Sequence, residues 1–478
     1  MECRACENLW RNRSFVFAAH RQHHKVIRLL YNLFWPIGLL FFLPGYLIKM
    51  YRRGNYRHKF GQRLGLYDVD LRGRLAAQRS TWLHAVSVGE VMIALKLAEA
   101  IRTLHPEVRF VLTTTTTTGF TFASKNVPSW IEVLYSPLDF WPVMRRAFAT
   151  IRPVKIVLVE AEVWPNLAVE AHTRRIPLAL VNARLSPRSE KRFQRHRFFV
   201  APTFRLLDLV CVQEAADVAR WAAIGVLRDR IQVVGSIKYD PEDLHVDPTV
   251  AEKVLAQCKI DNHRPIILGG STHAGEEAIL GKIFRELRTE FANLFLIIAP
   301  RHAERAREIY RAYQELGLRV ALRSQSSTVN PPIDCLVLDS TGELRNWYTI
   351  ASIVFIGKSL TARGGQNPAE AIVAGKPVVF GQHMENFAAF ARSLVERGAA
   401  LQISSADELE RAIVDLLRDG GLRQKLAENA REVLNTHRGA TVRTSVEWLR
   451  CSSSTPGCPS DSILRRSVPA GRDVSKRS

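Results

Sequence analysis

Short apolar runs alternate with helix-like stretches along most of the chain, beginning at residue 81. The runs are 81–86, 108–114, 131–135, 154–160, 177–183, 208–213 and 231–235, followed by 265–270, 294–300, 334–339, 352–357 and 376–381. Continuous apolar runs of this length are typical of parallel strands that are buried on both faces. Intervening stretches such as Glu90–Leu104 and Glu214–Ala223 predict the connecting helices. The pattern therefore predicts an α/β fold with two doubly wound parallel sheets.

One break in the alternation divides the chain into two Rossmann-like domains. Pro and Asp residues punctuate 241–248 as in a linker. We therefore expect an N-terminal domain over 51–240 and a C-terminal domain over 249–450, facing a cleft in which ligands bind beyond the strand ends. Residues 1–25 and 451–478 lack periodicity and are predicted to be disordered.

An apolar segment precedes the first domain. Residues 29–48 contain no Asp, Glu, Lys or Arg, and as a helix they could just cross a hydrocarbon core of ~30 Å. Asn32, Pro36 and Pro44 weaken a straight spanning helix, so a shallow, kinked anchor is the alternative. The pattern predicts a membrane anchor over 26–50, and the cations after it would keep the next domain on the cytoplasmic side of the inner membrane.

The distribution of charge supports a membrane anchor and argues against nucleic-acid binding. The 478 residues include 67 Lys and Arg against 46 Asp and Glu, and twelve of these cations with only two acidic residues lie in residues 1–63. This excess indicates an anionic membrane surface as a partner. No basic face interleaved with aromatic residues indicates nucleic-acid binding. Seven cysteines without a regular framework favour a reduced, cytoplasmic setting.

Acidic residues follow two strands of the first half. Glu90 opens the helix after the first strand, where a carboxylate could act as a general base and the helix N-terminus would hold it ionised. Ser87 and Glu90 also form the capping-box pattern S-x-x-E, which spacing alone favours over catalysis. Glu160 and Glu162 end a later strand, and Arg184 after the next strand could bind an anion or pair with either carboxylate.

Features suited to phosphate follow three strands of the second half. The segment 271–273 starts a helix whose free amides could meet an anion, and Pro300-Arg301 ends the next strand. A Gly-rich loop over 359–370 leads into a helix, so its backbone could approach a phosphate. No dinucleotide or P-loop motif is present, and no histidine or cysteine spacing indicates a metal site.

Taken together, these segments resemble the 3-deoxy-D-manno-octulosonic acid (Kdo) transferases, the lipid A Kdo glycosyltransferase family of lipopolysaccharide assembly. The resemblance runs in order from about residue 26 to residue 449 and rests on HAVSVGE, VEAEVWPNL, NARLS, GSIKYD, STHAGEE, APRHAER, TGEL, SLTARGGQNPAEA, GKPVVFG and GQHMENF. It implies a membrane-associated, inverting glycosyltransferase of the GT-B type that needs no metal or cofactor. The implied donor is CMP-Kdo, and the implied acceptor is the phosphorylated disaccharide precursor of lipid A.

The resemblance also implies roles for particular residues. Glu90 would be the general base, and Glu160 and Lys238 would stabilise the transition state. The implied donor contacts are Pro300, Arg301, Gly342, Glu343, Leu344, Asn367, Pro368, Ala369 and Glu370. Two alternatives stay open: another GT-B enzyme, such as a nucleotide-sugar epimerase or a peptidoglycan glycosyltransferase, and a non-enzymatic membrane scaffold.

Overall fold

The computed structural model describes residues 28–35, 38, 41, 45, 59–77, 79–241, 247–261, 264–326 and 332–451. The chain divides into two compact units, of which unit 1 comprises Met1–Lys238 and Gly439–Ser478, and unit 2 comprises Tyr239–Arg438. The predicted extension 1–25, most of the predicted anchor and linker, and nearly all of the predicted tail lie outside the described residues.

Unit 1 is built on a seven-stranded, fully parallel sheet in the order β3-β2-β1-β4-β5-β6-β7. Its strands are β1 Ser80–His84, β2 Arg109–Thr114, β3 Ile131–Tyr135, β4 Pro153–Val159, β5 Leu178–Ala183, β6 Leu209–Val212 and β7 Ile231–Val233. The strand order reverses between β1 and β4, and parallel sheets of this type bind ligands at that point.

Helices cover both faces of this sheet, because strands with apolar residues on both faces must be buried on both. The helices are α1 (described over 28–35), α2 Val69–Ala76, α3 Val88–Leu104, α4 Thr117–Asn126, α5 Trp141–Ile151, α6 Pro165–Thr173, α7 Pro187–Arg195, α8 Arg197–Phe204, α9 Ala215–Ala223 and, from the other end of the chain, α18 Ala440–Arg450.

Unit 2 repeats the arrangement with the order β10-β11-β9-β8-β12-β13-β14. Its strands are β8 Ile266–Thr272, β9 Phe295–Pro300, β10 Val320–Leu322, β11 Cys335–Val337, β12 Ile353–Ile356, β13 Val378–Gly381 and β14 Leu401–Ile403. Its helices are α10 Pro248–Gln257, α11 Glu276–Leu287, α12 Ala306–Glu315, α13 Leu344–Tyr348, α14 Ala369–Val373, α15 Ala388–Glu396, α16 Ala406–Arg418 and α17 Gly420–Asn435. The strand order reverses between β8 and β12.

The prediction of two parallel α/β sheets is confirmed, and every predicted apolar run overlaps a strand. The structure differs from the prediction at the C-terminal helix, because α18 belongs to unit 1 although its sequence follows unit 2. Lys155 of β4 explains the attachment, since its Nζ donates to the carbonyls of Trp448 and Leu449 at 2.9 and 3.1 Å. Trp448 is buried in the unit 1 core.

The predicted anchor is only partly visible. Of residues 26–50, the structure describes 28–35 and three single positions, 38, 41 and 45. Within the described part of the chain, no helix is both long enough and apolar enough to span a bilayer.

Candidate functional site

Glu90 lies at the start of α3, directly beyond the carboxyl end of β1. Its Oε2 accepts the backbone N–H of Val86 at 2.8 Å, and its Oε1 accepts the hydroxyl of Ser87 at 2.9 Å. The Ser87 side chain in turn accepts the Glu90 amide. The Ser87 half of the predicted capping box is therefore formed, whereas Glu90 bonds the backbone N–H of Val86 in place of that of Ser87; together these bonds fix the position of the Glu90 carboxyl group.

Burial determines the protonation of Glu90. The residue is only 9% exposed, and burial together with the nearby charges of Glu160 and Glu162 raises its pKa to about 7. The structure differs here from the expectation that the helix N-terminus holds Glu90 ionised, because desolvation and the neighbouring carboxylates outweigh the two hydrogen bonds that Glu90 accepts from Val86 and Ser87. A pKa near neutrality suits a general base, which must take up a proton during turnover.

Glu160 follows β4, the strand beside β1 at the reversal of strand order. Its backbone has a φ of 65°, a left-handed conformation that is uncommon for a residue with a side chain. Its Oε2 lies 3.6 Å from Nη2 of Arg184. Of the two roles left open for Arg184, the described contact is the ion pair with Glu160.

Lys238 belongs to the same charged group at the strand ends of unit 1. Burial lowers its pKa, the neighbouring Arg184 lowers it further, and Glu160 opposes both effects. The carboxyl group of Glu162 has a raised pKa because of burial and the charge of Glu160. Three carboxyl groups and two cations thus influence one another at the carboxyl edge of the sheet.

Asn182 positions the turn that carries Lys238. Asn182 is the second-to-last residue of β5, has a φ of 50° and is fully buried. Its Oδ1 accepts the Ser236 hydroxyl at 3.0 Å and the backbone N–H of Ile237 at 3.2 Å. These bonds hold the segment after β7 against the end of β5, next to Arg184. Sequence reasoning gave Asn182 no role, because its partners lie more than fifty residues away.

Unit 2 contains a pocket of about 240 Å³ beyond the ends of β8, β9 and β11. It is lined by Ser271, Ala299, Pro300, Arg301, Leu338, Ser340, Thr341, Gly342, Glu343, Leu344, Arg345 and Glu370. Six of the nine donor contacts expected from the resemblance line this pocket. Asn367, Pro368 and Ala369 do not, and they lie at the start of α14, where Asn367 Oδ1 accepts the Ala369 amide at 3.1 Å.

The pocket combines cations with carboxylates. Arg345 lies 3.8 Å from Glu370, and Arg323 lies 3.2 Å from Glu343. Arg301 makes no side-chain hydrogen bond or ion pair with a described residue, so its guanidinium is available to an anion. Arg345 was missed by sequence reasoning. The only signal for it was its position directly after the predicted turn 342–344.

The Gly-rich loop over 359–370 is arranged differently from the expectation. Glu276, 1% exposed, accepts four backbone N–H groups: those of His273, Lys358, Ser359 and Leu360, at 2.7–3.0 Å. Glu385 accepts the amide of Gly364 at 2.7 Å. The expectation of free amides at the helix start is therefore wrong at His273, whose amide bonds Glu276. In the Gly-rich loop the amides of Ser359, Leu360 and Gly364 likewise bond carboxylates of the chain.

Close packing of strand ends also shapes this edge of unit 2. A Cβ at Gly357, which follows β12, would collide with the backbone of Ser271 and Thr272. Only glycine allows this approach. The buried Glu276 carboxylate and Gly357 together join the loops after β8 and β12, which lie next to the pocket.

The described residues contain no group of three His, Cys, Asp or Glu side chains that could hold a metal ion. Of the strand-end histidines, His84 is buried, which lowers its pKa to about 4, and its Nδ1 lies 3.0 Å from the Thr113 hydroxyl. His84 is thus a neutral part of the core. Metal independence stays a prediction.

Comparison with known proteins adds family information to this geometry. A family model described as 3-deoxy-D-manno-octulosonic-acid transferase (kdotransferase) matches residues 58–241, and one described as glycosyl transferases group 1 matches residues 280–433. The chain is 32% identical over 391 residues to the 3-deoxy-D-manno-octulosonic acid transferase of Haemophilus influenzae, covering 81% of this chain and 90% of that protein. It is 33% identical over 372 residues to the enzyme of the same name from Bordetella pertussis, with coverages of 76% and 85%.

A solved structure shares the fold. The UDP-GlcNAc 2-epimerase from Neisseria meningitidis, bound to UDP-GlcNAc, aligns with a TM-score of 0.54 at 13% identity, covering 78% of this chain and all of that chain. This likeness shows the GT-B type of fold and carries no information on the reaction.

Proposed function

Because this chain belongs to the 3-deoxy-D-manno-octulosonic acid transferase family, we propose that it transfers Kdo from CMP-Kdo to the phosphorylated disaccharide precursor of lipid A. That the chain is a Kdo transferase of lipopolysaccharide biosynthesis follows from the family. The proposal concerns the identities of the donor and the acceptor, the roles of the site residues and the attachment to a membrane. The observation that carries it is the buried Glu90 carboxyl group, whose pKa of about 7 suits proton removal from a sugar hydroxyl.

The reaction assigns each unit a part of the chemistry. Glu90 takes the proton of the acceptor hydroxyl as its oxygen attacks the anomeric carbon of Kdo. The bond from that carbon to the CMP phosphate oxygen breaks, and CMP leaves with the electron pair. Attack from the face opposite the leaving group inverts the anomeric centre. Glu160 and Lys238 act on the charge that develops near the base.

The unit 2 pocket is the proposed donor site. Arg301 faces an anion with no competing partner among the described residues, and Glu343 and Glu370 offer oxygens to hydroxyl groups of the nucleotide. Stabilisation of the leaving phosphate by a guanidinium is a means of catalysis without a metal ion. The proposal therefore keeps the reaction metal-independent.

The acceptor is a lipid, and the proposed location is the inner membrane with both units in the cytoplasm. The apolar segment 29–48 and the net charge of +10 over residues 1–63 support attachment to an anionic surface.

The experiment is mass spectrometry of the lipid after membranes containing the chain are incubated with the tetra-acylated lipid A precursor and a CMP-Kdo-generating system. Mass increments of Kdo on the lipid are expected, and their number counts the residues added. No increment with intact donor and folded protein would reject the proposed acceptor. Conversion of the donor without any acceptor would favour the epimerase-like alternative.

A further inference from the structure

Unit 2 has a second cavity, of about 660 Å³, at the edge of its sheet opposite the proposed donor pocket. We call it the basal cavity. Arg264, Ser352 and Pro377 line it just before β8, β12 and β13 begin, and one face of α17, from Gly420 to Arg431, forms its side. Cavities of about 300–1,000 Å³ are typical of binding sites for small molecules. The basal cavity is therefore large enough to be such a site.

Two short helices separate the basal cavity from the donor pocket. Leu344 in the first turn of α13 and Glu370 in the first turn of α14 line the donor pocket. Thr349 and Gly375, which follow the last turns of the same two helices, line the basal cavity. The two cavities are thus distinct sites at opposite ends of α13 and α14.

Positive charge is concentrated around the basal cavity. Its lining includes four cationic side chains, those of Arg264, Lys376, Arg423 and Arg431. None of the four pairs with a carboxylate in the part of the chain that the structure describes. By contrast, Arg319 and Arg418 of the same unit pair with Asp334 and Glu290 at 2.6 and 2.8 Å. The cations of the basal cavity are therefore available to an anion from outside the chain.

Backbone carbonyls hold two of these guanidinium groups in place. Arg264 donates to the carbonyls of Asn293 and Leu294 at 2.8 and 3.0 Å. Arg423 donates to two carbonyls near the end of α16. A neutral carbonyl orients a guanidinium without cancelling its charge, and it leaves other N–H groups of the fork for a ligand.

The guanidinium of Arg431 lies against Gly375. Gly375 has a φ of 74°, and a Cβ at this position would collide with the guanidinium. A cation beyond a helix end can compensate free carbonyls. In α14, however, the carbonyls of Ala371 and Ile372 already accept the N–H groups of Lys376 and Gly375, at 3.1 and 2.9 Å. Capping of α14 therefore does not explain the position of Arg431.

The other groups of the basal cavity indicate the chemistry of its ligand. Lys376 is half-buried, and burial together with the charge of Arg431 lowers its pKa, so an anion beside the two cations would be stabilised by both. The Ser352 hydroxyl accepts a backbone N–H of β8 at 3.1 Å and keeps its own proton to donate. Glu252 and Glu428 also line the cavity, and carboxylates accept hydroxyl groups but repel a second anion.

We propose that the basal cavity binds a sugar phosphate, with the phosphate group beside Lys376 and Arg431 and the sugar hydroxyl groups beside Glu252 and Glu428. The ligand is a soluble small molecule that binds apart from the donor pocket. This proposal goes beyond the proposed function and does not depend on it.

Titration calorimetry of the full chain with glucose 1-phosphate tests the proposal. Glucose 1-phosphate should bind, inorganic phosphate should bind more weakly, and glucose should not bind, because the phosphate supplies the charge and the hydroxyl groups add to it. The double variant Lys376→Gln, Arg431→Gln should raise the dissociation constant at least tenfold. Hydrogen exchange should show protection of residues 349–352 and 375–377 by glucose 1-phosphate in the wild type.

A second variant avoids the risk that the double variant is misfolded. Gln424→Glu places a negative charge at the exposed rim of the basal cavity and should also weaken binding. Two matched controls should bind like the wild type. Lys425→Gln changes an exposed residue of α17 outside the lining, and Arg301→Gln changes the donor pocket instead.

Four results would overturn the proposal. The first is the absence of binding of glucose 1-phosphate at millimolar concentration. The second is wild-type affinity in both Gln424→Glu and the double variant. The third is lost binding in Arg301→Gln, which would locate the probe in the donor pocket. The fourth is weaker flotation of Gln424→Glu than of Lys425→Gln with phosphatidylglycerol vesicles, which would make a lipid headgroup the source of the phosphate. None of these measurements uses the transfer reaction, so failure of the proposed function would not affect them.

Discussion

Buried glutamates are used in opposite ways in the two units. In unit 1, Glu90 lies among other acidic groups, and their charges together with burial raise its pKa to about 7. In unit 2, Glu276 is more deeply buried but accepts four backbone N–H groups. Amide donors stabilise the charged form of a carboxylate, whereas neighbouring carboxylates destabilise it. The first arrangement therefore suits proton transfer, and the second suits holding two loops together.

Glu90→Gln should produce the largest effect. The amide keeps the size of the side chain but cannot accept the proton, so we expect turnover to fall by about 10²–10⁴-fold. Binding of CMP should be retained, because the proposed donor pocket lies in unit 2. Initial rates and CMP titration measure the two quantities.

The matched control is Glu99→Gln, the same change at an exposed position of α3. It should keep wild-type turnover. If Glu90→Gln also kept wild-type turnover, Glu90 would be a helix cap alone and the assignment of the base would be wrong.

Glu276→Gln should lower the stability of unit 2. One oxygen is replaced by an NH₂ group that faces backbone N–H donors, so we expect the free energy of unfolding to fall by about 2–4 kcal/mol. Urea unfolding of the full chain, with hydrogen exchange at residues 358–360, measures the loss. Glu286→Gln, exposed on the same helix, is the control. Unchanged exchange at 358–360 would contradict the proposed role.

The pH dependence should give the smallest of the three effects. Below about pH 7 the rate should fall about tenfold per pH unit, as Glu90 becomes protonated. Glu162→Gln removes a neighbouring negative charge, so the midpoint should move to lower pH. A profile that stays flat down to pH 5.5 would exclude Glu90 as the titrating base.

The raised pKa of Glu90 also makes the free energy of unfolding depend on pH. This dependence runs in the direction opposite to that of the rate. The folded state holds the Glu90 proton up to about pH 7, while the unfolded chain loses it near 4.5. The contribution of Glu90 to the free energy of unfolding therefore decreases as the pH rises through this range.

The sequence allowed most of the fold to be predicted, because long apolar runs have few alternatives to buried strands. The strands it missed, β10 and β14, have only three residues each and lie at the edges of the unit 2 sheet. Arg319 and Arg323 flank β10 directly, so its apolar residues do not form a run of the length that predicted the other strands. The place of α18 was also not predictable, because its seat on unit 1 depends on contacts such as that of Lys155 with Trp448, 293 positions apart in the chain.

The sequence predicted those site residues that come directly after a strand. It did not predict those whose role depends on contacts with residues far away in the chain. Glu90 and Glu160 follow adjacent strands of the sheet, so their strand positions suffice to bring them together. The roles of Asn182 and Glu276 require knowledge of which loops meet. The direction of the pKa shift of Glu90 likewise depends on burial, which one helix start does not reveal.

The return of α18 to unit 1 has a consequence for synthesis on the ribosome. Trp448 shares a core cluster with Leu83 and Val91, near the beginning of the unit. The ribosome adds about 5–20 residues per second, so the roughly 200 residues of unit 2 delay the synthesis of α18 by about 10–40 s after Lys238, where the first part of unit 1 ends. During that time the apolar surface of unit 1 that α18 later covers is exposed. The unit that begins first in the chain is therefore the last to be completed.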